Sequence, residues 1–320
     1  MLPAKAMAFP CDDFMESADI KEEFYALCKN AGLTRLVTTR VPQYETLTAV
    51  FVNSFRLYSD NDTIVFRLYD RLLTMPMSKF CEVLGLPGLV EKKKRKNIPT
   101  VEINTLLDSF CNTEVRPSNR QKISNIMFPH LRYFAYYIAR GVLARDNTSS
   151  TSTPDTAIME NALSGKHEHH VGTLIARRLA TNSTKGGVFG GVYATLLLQS
   201  LPGEPRPDDA IFPFVSLDLA AMKRHFFVTK DSDRYALDYT LRFKDGVTRT
   251  VRLPAPLVFD FSHRNGYRFS VAEFDEITGR YQYHDPTEGA EPDEEERVVY
   301  PPVQEEHEVY SPVQEETFAP

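Results

Sequence analysis

Cysteine is scarce here and unpaired. The four thiols, Cys11, Cys28, Cys81 and Cys111, include no Cys-x-x-Cys pair, and each stands among apolar neighbours. That spacing implies no disulfide framework and suits reduced, buried thiols in an intracellular protein. Long hydrophobic runs are absent too: no stretch approaches eighteen apolar residues, so no membrane-spanning helix and no membrane partner are expected. The N-terminus, MLPAKAMAFPCDDFMES, holds one lysine and two prolines but no continuous apolar run, so no secretory signal is read there.

Signatures of catalysis are missing as well. There is no Gly-x-Ser-x-Gly elbow, no Asp-Thr/Ser-Gly aspartic-protease motif, no Tyr-x-Asp-Asp polymerase motif and no Cys-x2-Cys-x4-His-x4-Cys zinc knuckle. No cysteine has a local context that would lower its pKa. The carboxylate pairs Asp208-Asp209 and Asp275-Glu276 fall in expected loops and are read as solvated. No catalytic residue, no cofactor and no metal site is therefore assigned.

What is present is a globular composition, 42% hydrophobic and 25% charged, with a mean hydropathy of -0.32. It supports one large or two small cores. The net charge of -6 hides an asymmetry. Residues Asp285 to Pro320 hold twelve acidic residues and one basic residue, a net of -11, so Met1 to His284 carries the difference, +5. A mildly basic body of this size leaves nucleic-acid binding undecided.

The stretch that organises the rest is Phe128 to Arg145, FPHLRYFAYYIARGVLAR. Leu131, Phe134, Ile138 and Val142 recur at helical spacing, widened by Ala135 and Tyr137, so a long helix buried along one face is expected. Before it, Asp19 to Ala31 reads as an amphipathic helix capped by Asp19, with Glu22 at the capping-box position and Gly32 as its stop. Leu47, Val50, Phe51 and Phe55 continue the helical period. Thr63 to Tyr69 then alternates, so Phe55 to Leu73 should hold a small hairpin, and Met77 to Leu84 a short helix closed by Gly85. After the central stretch, DNTSSTSTP (146–154) is expected to be an exposed loop. Helices follow at Asp155 to Leu163, Val171 to Leu179 and Val192 to Leu201. The proline-rich stretch Pro202 to Pro213 reads as a break. Tyr235 to Phe243 and Val247 to Leu253 alternate around Lys244-Asp245-Gly246, the clearest hairpin in the chain, and Thr278-Gly279 marks a second turn. From Asp285 the segment is acidic and proline-rich and is expected to stay disordered. It repeats VYPPVQEE at Val299 as VYSPVQEE at Val309, two copies that make a linear tail and not a solenoid.

Three local clusters invite chemistry. Lys92, Lys93, Lys94, Arg95 and Lys96 form the densest basic run and suit a nuclear-import receptor or a phosphate-contacting loop, against the plain reading of a solvated loop. Lys166-His167-Glu168-His169-His170 offers three imidazoles and a carboxylate, but it lacks the His-Glu-x-x-His spacing and no cysteine pair completes a zinc site. Lys185-Gly186-Gly187-Val188-Phe189-Gly190-Gly191 resembles a phosphate loop only superficially, because the lysine precedes the glycines; a turn letting two helices pack closely is the better reading.

Two longer stretches carry a resemblance. One is LVTTRVPQYETLTAVFVNSFRLYSDNDTIVFRLYDRLLTMPMSKFCEVLGLPG (36–88), ending in Phe-x-x-x-Leu-Gly-Leu-Pro; the other runs from Met127 through Leu201 into DDAIFPFVSLDLAAMKRHFFVTKDS. Together, over roughly Ile20 to Tyr283, they resemble the first-open-reading-frame proteins of plant Athila-type long-terminal-repeat retrotransposons. The resemblance implies a capsid-like or accessory protein with no established enzymatic activity, and it brings no catalytic residues. The missing zinc knuckle departs from a typical capsid polyprotein and puts a nucleocapsid role in doubt.

The expectation is an α+β, predominantly helical fold: a helical bundle core with short antiparallel β-hairpins and a disordered acidic C-terminal tail. Its divisions are a flexible N-terminal lead (1–18), a helix and hairpin subdomain (19–116), the central bundle (117–201), a hairpin-containing subdomain (202–284) and the tail (285–320). The functional expectation is a non-enzymatic retroelement protein, structural or self-associating (capsid-like or accessory), with a further copy of itself as a candidate partner, in the nucleus, the cytoplasm or both. The alternative is a plant nuclear protein-interaction module with a linear-motif tail, and a metal-dependent hydrolase on the histidine cluster is a distant third.

Overall fold

The computed structural model describes residues 3–58, 62–88, 122–126, 128–165, 167–181, 188–201, 203–242, 248–254, 272–275 and 280–283. Lys92 to Lys96, Cys111 and the acidic tail lie outside the described residues. The fold is α+β and predominantly helical, with small sheets. Among the described residues no helix is long and apolar enough to cross a membrane.

In chain order, β1 (Ala4–Lys5) leads into α1 (Asp12–Ser17), α2 (Lys21–Asn30), α3 (Thr34–Thr38) and α4 (Glu45–Ser54). Then come β2 (Arg56–Leu57), β3 (Thr63–Leu68), β4 (Arg71–Pro76) and α5 (Met77–Leu84). A 3-10 turn (Ile123–Asn125) precedes α6 (Pro129–Tyr137), which runs into a π-helical turn (Ile138–Val142). The remainder is α7 (Thr153–Ser164), α8 (Val171–Ala180), β5 (Val188–Phe189), α9 (Gly191–Ser200), α10 (Leu219–Arg224) and the strands β6 (Leu237–Arg242), β7 (Thr248–Leu253), β8 (Ala272–Asp275) and β9 (Arg280–Tyr283). Strands β2, β3 and β4 form one antiparallel sheet, and β6–β7 and β8–β9 are antiparallel hairpins. The expected hairpin at 55–73 thus has three strands, with its third reaching Pro76. Strands β1 and β5 pair in parallel over two residues, a contact between the N-terminus and a segment more than 180 residues along the chain that no local pattern foretells.

The N-terminal residues 3–18 are packed: Met7, Phe9, Phe14 and Met15 are buried. The Gln43 side chain pairs with both backbone groups of Met7, accepting from its N–H at 2.8 Å and donating to its carbonyl at 3.0 Å. Phe9 pairs with the strap 210–217, whose Val215 carbonyl accepts from the Phe9 N–H. Buried residues from Met7 to Leu253 form one hydrophobic cluster.

Three local expectations need correction. Asp19 does not cap α2; it adopts a left-handed φ of 54°, and Ile20 occupies the cap position without a side-chain bond. The reciprocal capping box lies instead at Ser152 and Asp155 of α7, where Ser-x-x-Asp supplies the same chemistry. The insert 146–154 is not wholly exposed. Thr148 and Thr151 are buried, and Ser149 accepts the Ile123 N–H. The central stretch is not a one-faced helix either: every residue of α6 is buried, and its continuation widens into the π turn.

Helix stops follow the glycines. At the end of α2 the Leu33 N–H reaches back to the Cys28 carbonyl at 2.8 Å, which requires Gly32 to take a φ of 72°. A Cβ on Gly32 would also stand 2.3 Å from Cγ of the rigid Pro87 ring, whereas Gly165, at a φ of 65°, has open space around it. Gly165→Ala should therefore cost only the left-handed penalty, about 1 kcal/mol. Gly32→Ala should cost visibly more, by roughly 1–3 kcal/mol from overpacking. Urea midpoints of the two variants test this, and equal losses would remove the role given to Pro87.

Candidate functional site

Among the described residues, the histidine segment gathers groups that could do chemistry. Lys166 lies outside the described residues, and His167 and Glu168 are exposed. His169 and His170 then part company. His169 turns to α7: its Nε2 sits 2.6 Å from the Glu160 carboxylate, while its backbone is clasped by Asn161, which donates to the His169 carbonyl at 2.7 Å and accepts its N–H at 3.1 Å. His170 turns to α8 and caps it. Among the described residues no group of three histidine, cysteine or carboxylate side chains could hold a metal ion.

The surroundings of His170 look at first like a nucleophile, a base and an orienting group. Cys81 Sγ lies 3.7 Å from His170 Nε2, and Thr173 Oγ1 lies 2.7 Å from Nδ1. Hydrogen-bond geometry favours a structural role instead. The Thr173 backbone N–H donates to Nδ1 at 3.1 Å, so Nδ1 is the acceptor nitrogen and the ring proton sits on Nε2, pointing at the sulfur. The imidazole has no lone pair left with which to take a proton from the thiol. Burial pushes the Cys81 thiol up to about 12, away from the thiolate a nucleophile needs. The trio is a helix cap docked on a buried thiol. Gly172 makes the docking possible, since a Cβ there would meet Cys81 Sγ at 2.3 Å.

Several other buried polar groups are likewise occupied in holding elements together. Asp209, expected to be solvated, is buried: its carboxylate accepts from the Thr46 and Leu47 N–H groups at 2.7 and 2.9 Å and from the Tyr69 hydroxyl at 3.0 Å. It caps α4 from far along the chain, as an anion at a helix N-terminus should. Asp155 is 0% exposed. It accepts from Arg145 Nη1 and, at 2.5 Å, from the Ser152 N–H and hydroxyl. Burial raises its pKa, opposed by the Arg145 charge. Arg145 also donates to the Ser150 and Asn147 carbonyls, which closes the loop over the ion pair.

Arg132 is the most unusual of these groups, a 0% exposed arginine in the middle of α6. Its Nε donates to the Ile126 carbonyl at 2.6 Å and its Nη1 to the Thr240 carbonyl at 2.8 Å. The guanidinium lies 4.2 Å from the ring centre of Tyr239 and 5.8 Å from that of Phe227. No sequence pattern marks this role, because an arginine between apolar residues reads as a helix's solvent side. Of the glycine-rich run, 185–187 lie outside the described residues; Gly190 and Gly191 back onto Val52 and Gln43, in keeping with a close-packing turn.

His130, the second residue of α6, is buried, and desolvation lowers its pKa from 6.5 to about 3. The unfolded chain gains a proton there below pH 6.5 that the native protein refuses until about pH 3. Stability from this group is therefore complete above 6.5 and falls with pH through that window, by at most about 1.4 kcal/mol per unit. Urea denaturation between pH 7 and 5 should show a shallower pH dependence in His130→Gln than in the parent. Parallel curves would contradict the neutral, buried imidazole.

Comparison with known proteins adds one finding. Residues 2–172 match the sequence model of the ATHILA ORF-1 family, more than half of the chain, including the N-terminal residues packed into the core. No curated protein matches, and no solved structure does.

Proposed function

Because this chain belongs to the ATHILA ORF-1 family, the first-open-reading-frame proteins of Athila-type retrotransposons, we propose that it is a non-enzymatic structural protein of a retroelement that works by associating with copies of itself. The family is not a known enzyme family. The buried histidine, cysteine and carboxylate groups described above serve as caps and braces.

The observation that carries the self-association reading is the strap 210–217. Ile211 and Phe214 are 58% and 66% exposed, yet both are anchored: Ile211 bridges Tyr44, and Phe214 stacks on the buried Phe9 ring at 5.1 Å with the planes 5° apart. The Arg40 guanidinium lies over the Phe9 ring at 5.2 Å from its centroid. Aromatic side chains held rigid against a core and left uncovered lose little entropy when a partner covers them, as interface anchors do.

Light scattering on the full chain is expected to give a mass above the 36.4 kDa of a monomer. Ile211→Ser with Phe214→Ser should return it toward the monomer without loss of helical signal. A monomeric parent would overturn the reading. The repeated Val-Tyr-x-Pro-Val-Gln-Glu-Glu tail favours the second reading, a nuclear interaction module, since proline pre-extends a short ligand. In either case Lys92 to Lys96 would serve import. Alanine at Lys93, Lys94, Arg95 and Lys96 in a fluorescent fusion too large to diffuse should shift it out of the nucleus, and an unchanged distribution would count against that role.

A further inference from the structure

The outer face of the three-stranded sheet is a different kind of surface from the aromatic strap. Strand alternation turns Ile64, Phe66 and Leu68 of β3 inward and leaves Val65 and Arg67 outward. Register sets Arg56 of β2 on one side of Val65 and Thr74 of β4 on the other, and puts Leu72 beside Arg67. Tyr58 follows β2 and donates its N–H to the Thr63 carbonyl at 3.1 Å, so its ring falls on the same face. Tyr58 and Leu72 are 56% and 59% exposed.

Among the described residues neither guanidinium on this face has a carboxylate partner. Arg56 Nη1 donates to the Asn53 and Phe55 carbonyls at 3.1 and 2.7 Å, and Arg67 Nη1 to the Asp70 carbonyl at 3.3 Å, leaving both charges uncompensated. No aspartate or glutamate occupies an outward strand position. The sheet's acids sit in its turns. Asp70 is ion-paired with Arg206, Asp62 lies at the other end, and Asp60 beside it is outside the described residues.

We propose that this face binds single-stranded nucleic acid, with a base stacked on Tyr58 and phosphates held by Arg56 and Arg67. Three features select that occupant. An exposed ring offers a π-face that any base can cover. The two arginines root one strand and two residues apart, about 5 Å across and 7 Å along, or about 8 Å in all, so they can follow one backbone. A neutral protein surface would have to desolvate both unpaired guanidiniums at a cost it could not recover, whereas a polyanion neutralises them with forked hydrogen bonds.

The test uses the full chain and fluorescence anisotropy with a fluorescein-labelled oligouridylate of about twenty nucleotides, over a salt series. The parent should bind. Tyr58→Ala should weaken binding about tenfold while Tyr58→Phe, which keeps the ring, binds like the parent. Arg56→Gln with Arg67→Gln should lower the log–log salt slope by about 1.4, the loss of two phosphate contacts. These side chains are exposed, so circular dichroism should be unchanged, and the scattering mass serves as a separate readout of assembly. Failure of the parent to bind overturns the proposal. So does binding that survives all the sheet variants and disappears only when Lys92 to Lys96 are neutralised. Equal affinity for a polyglutamate peptide, insensitive to Tyr58→Ala, would assign the face to an acidic protein partner and overturn it as well.

Discussion

A charged group that is taken out of water has to be given other partners, and much of this fold can be understood as the way Arg132 is supplied with them. The guanidinium sits at the centre of a helix buried on every side. Its hydrogen bonds go to a carbonyl just before that helix and to one in β6, and its faces are covered by Tyr239 and Phe227. Moving such an ion from water into a dry interior costs several kcal/mol unless geometry and hydrogen bonds return it. The charge therefore fixes the relative positions of the central helix, the 3-10 turn before it and the β6–β7 hairpin. Tyr239 is used twice, since its hydroxyl also donates to the Ile126 carbonyl.

The same economy recurs around the central helix. Tyr133 accepts from the Cys11 N–H and donates to the Leu217 carbonyl, so one phenol joins the N-terminal segment to the strap. Tyr136 donates to the His225 carbonyl, and Tyr193 to that of Val142 at the π turn. Phe24 of α2 meets Tyr133, Phe134 and Tyr137 edge-on, at ring separations of 5.3 to 6.2 Å. The phenols of Tyr133, Tyr136 and Tyr193 are committed to carbonyls, and the His170 imidazole to a helix end. That commitment, together with the family, directs attention to surfaces. Two surfaces stand out for different reasons, the strap by its exposed Ile211 and Phe214 and the sheet by its cations.

What could be read from residue order was whatever a segment decides for itself. The stripe Phe24, Leu27 and Cys28 gave α2, and Gly32 gave its stop; the alternation from Thr63 gave β3, and Lys244-Asp245-Gly246 separated β6 from β7. What could not be read was set by residues far away in the chain. Asp209 caps a helix more than 160 residues earlier, and nothing near it announces that. Arg132 reads as a break in an apolar stripe until Thr240 and Tyr239 are placed beside it. His170 reads as a possible metal ligand until the Thr173 N–H fixes its tautomer. One miss was avoidable: Ser152-Thr153-Pro154-Asp155 carries the capping pattern with proline at a favoured early helix position, but its low-complexity surroundings made it look like loop.

The claim on which the rest stands is that Arg132 ties the C-terminal hairpin to the central helix in one cooperative unit. Equilibrium urea unfolding of Arg132→Ala tests it most directly, followed by helical circular dichroism and by tyrosine fluorescence. Removing the guanidinium takes one donor from each of the Ile126 and Thr240 carbonyls and opens a cavity between two rings, so a loss of about 3–5 kcal/mol is expected, with both signals still moving together. A loss below about 1 kcal/mol, the scale of a surface substitution, would show that the buried charge is not what holds these elements in register.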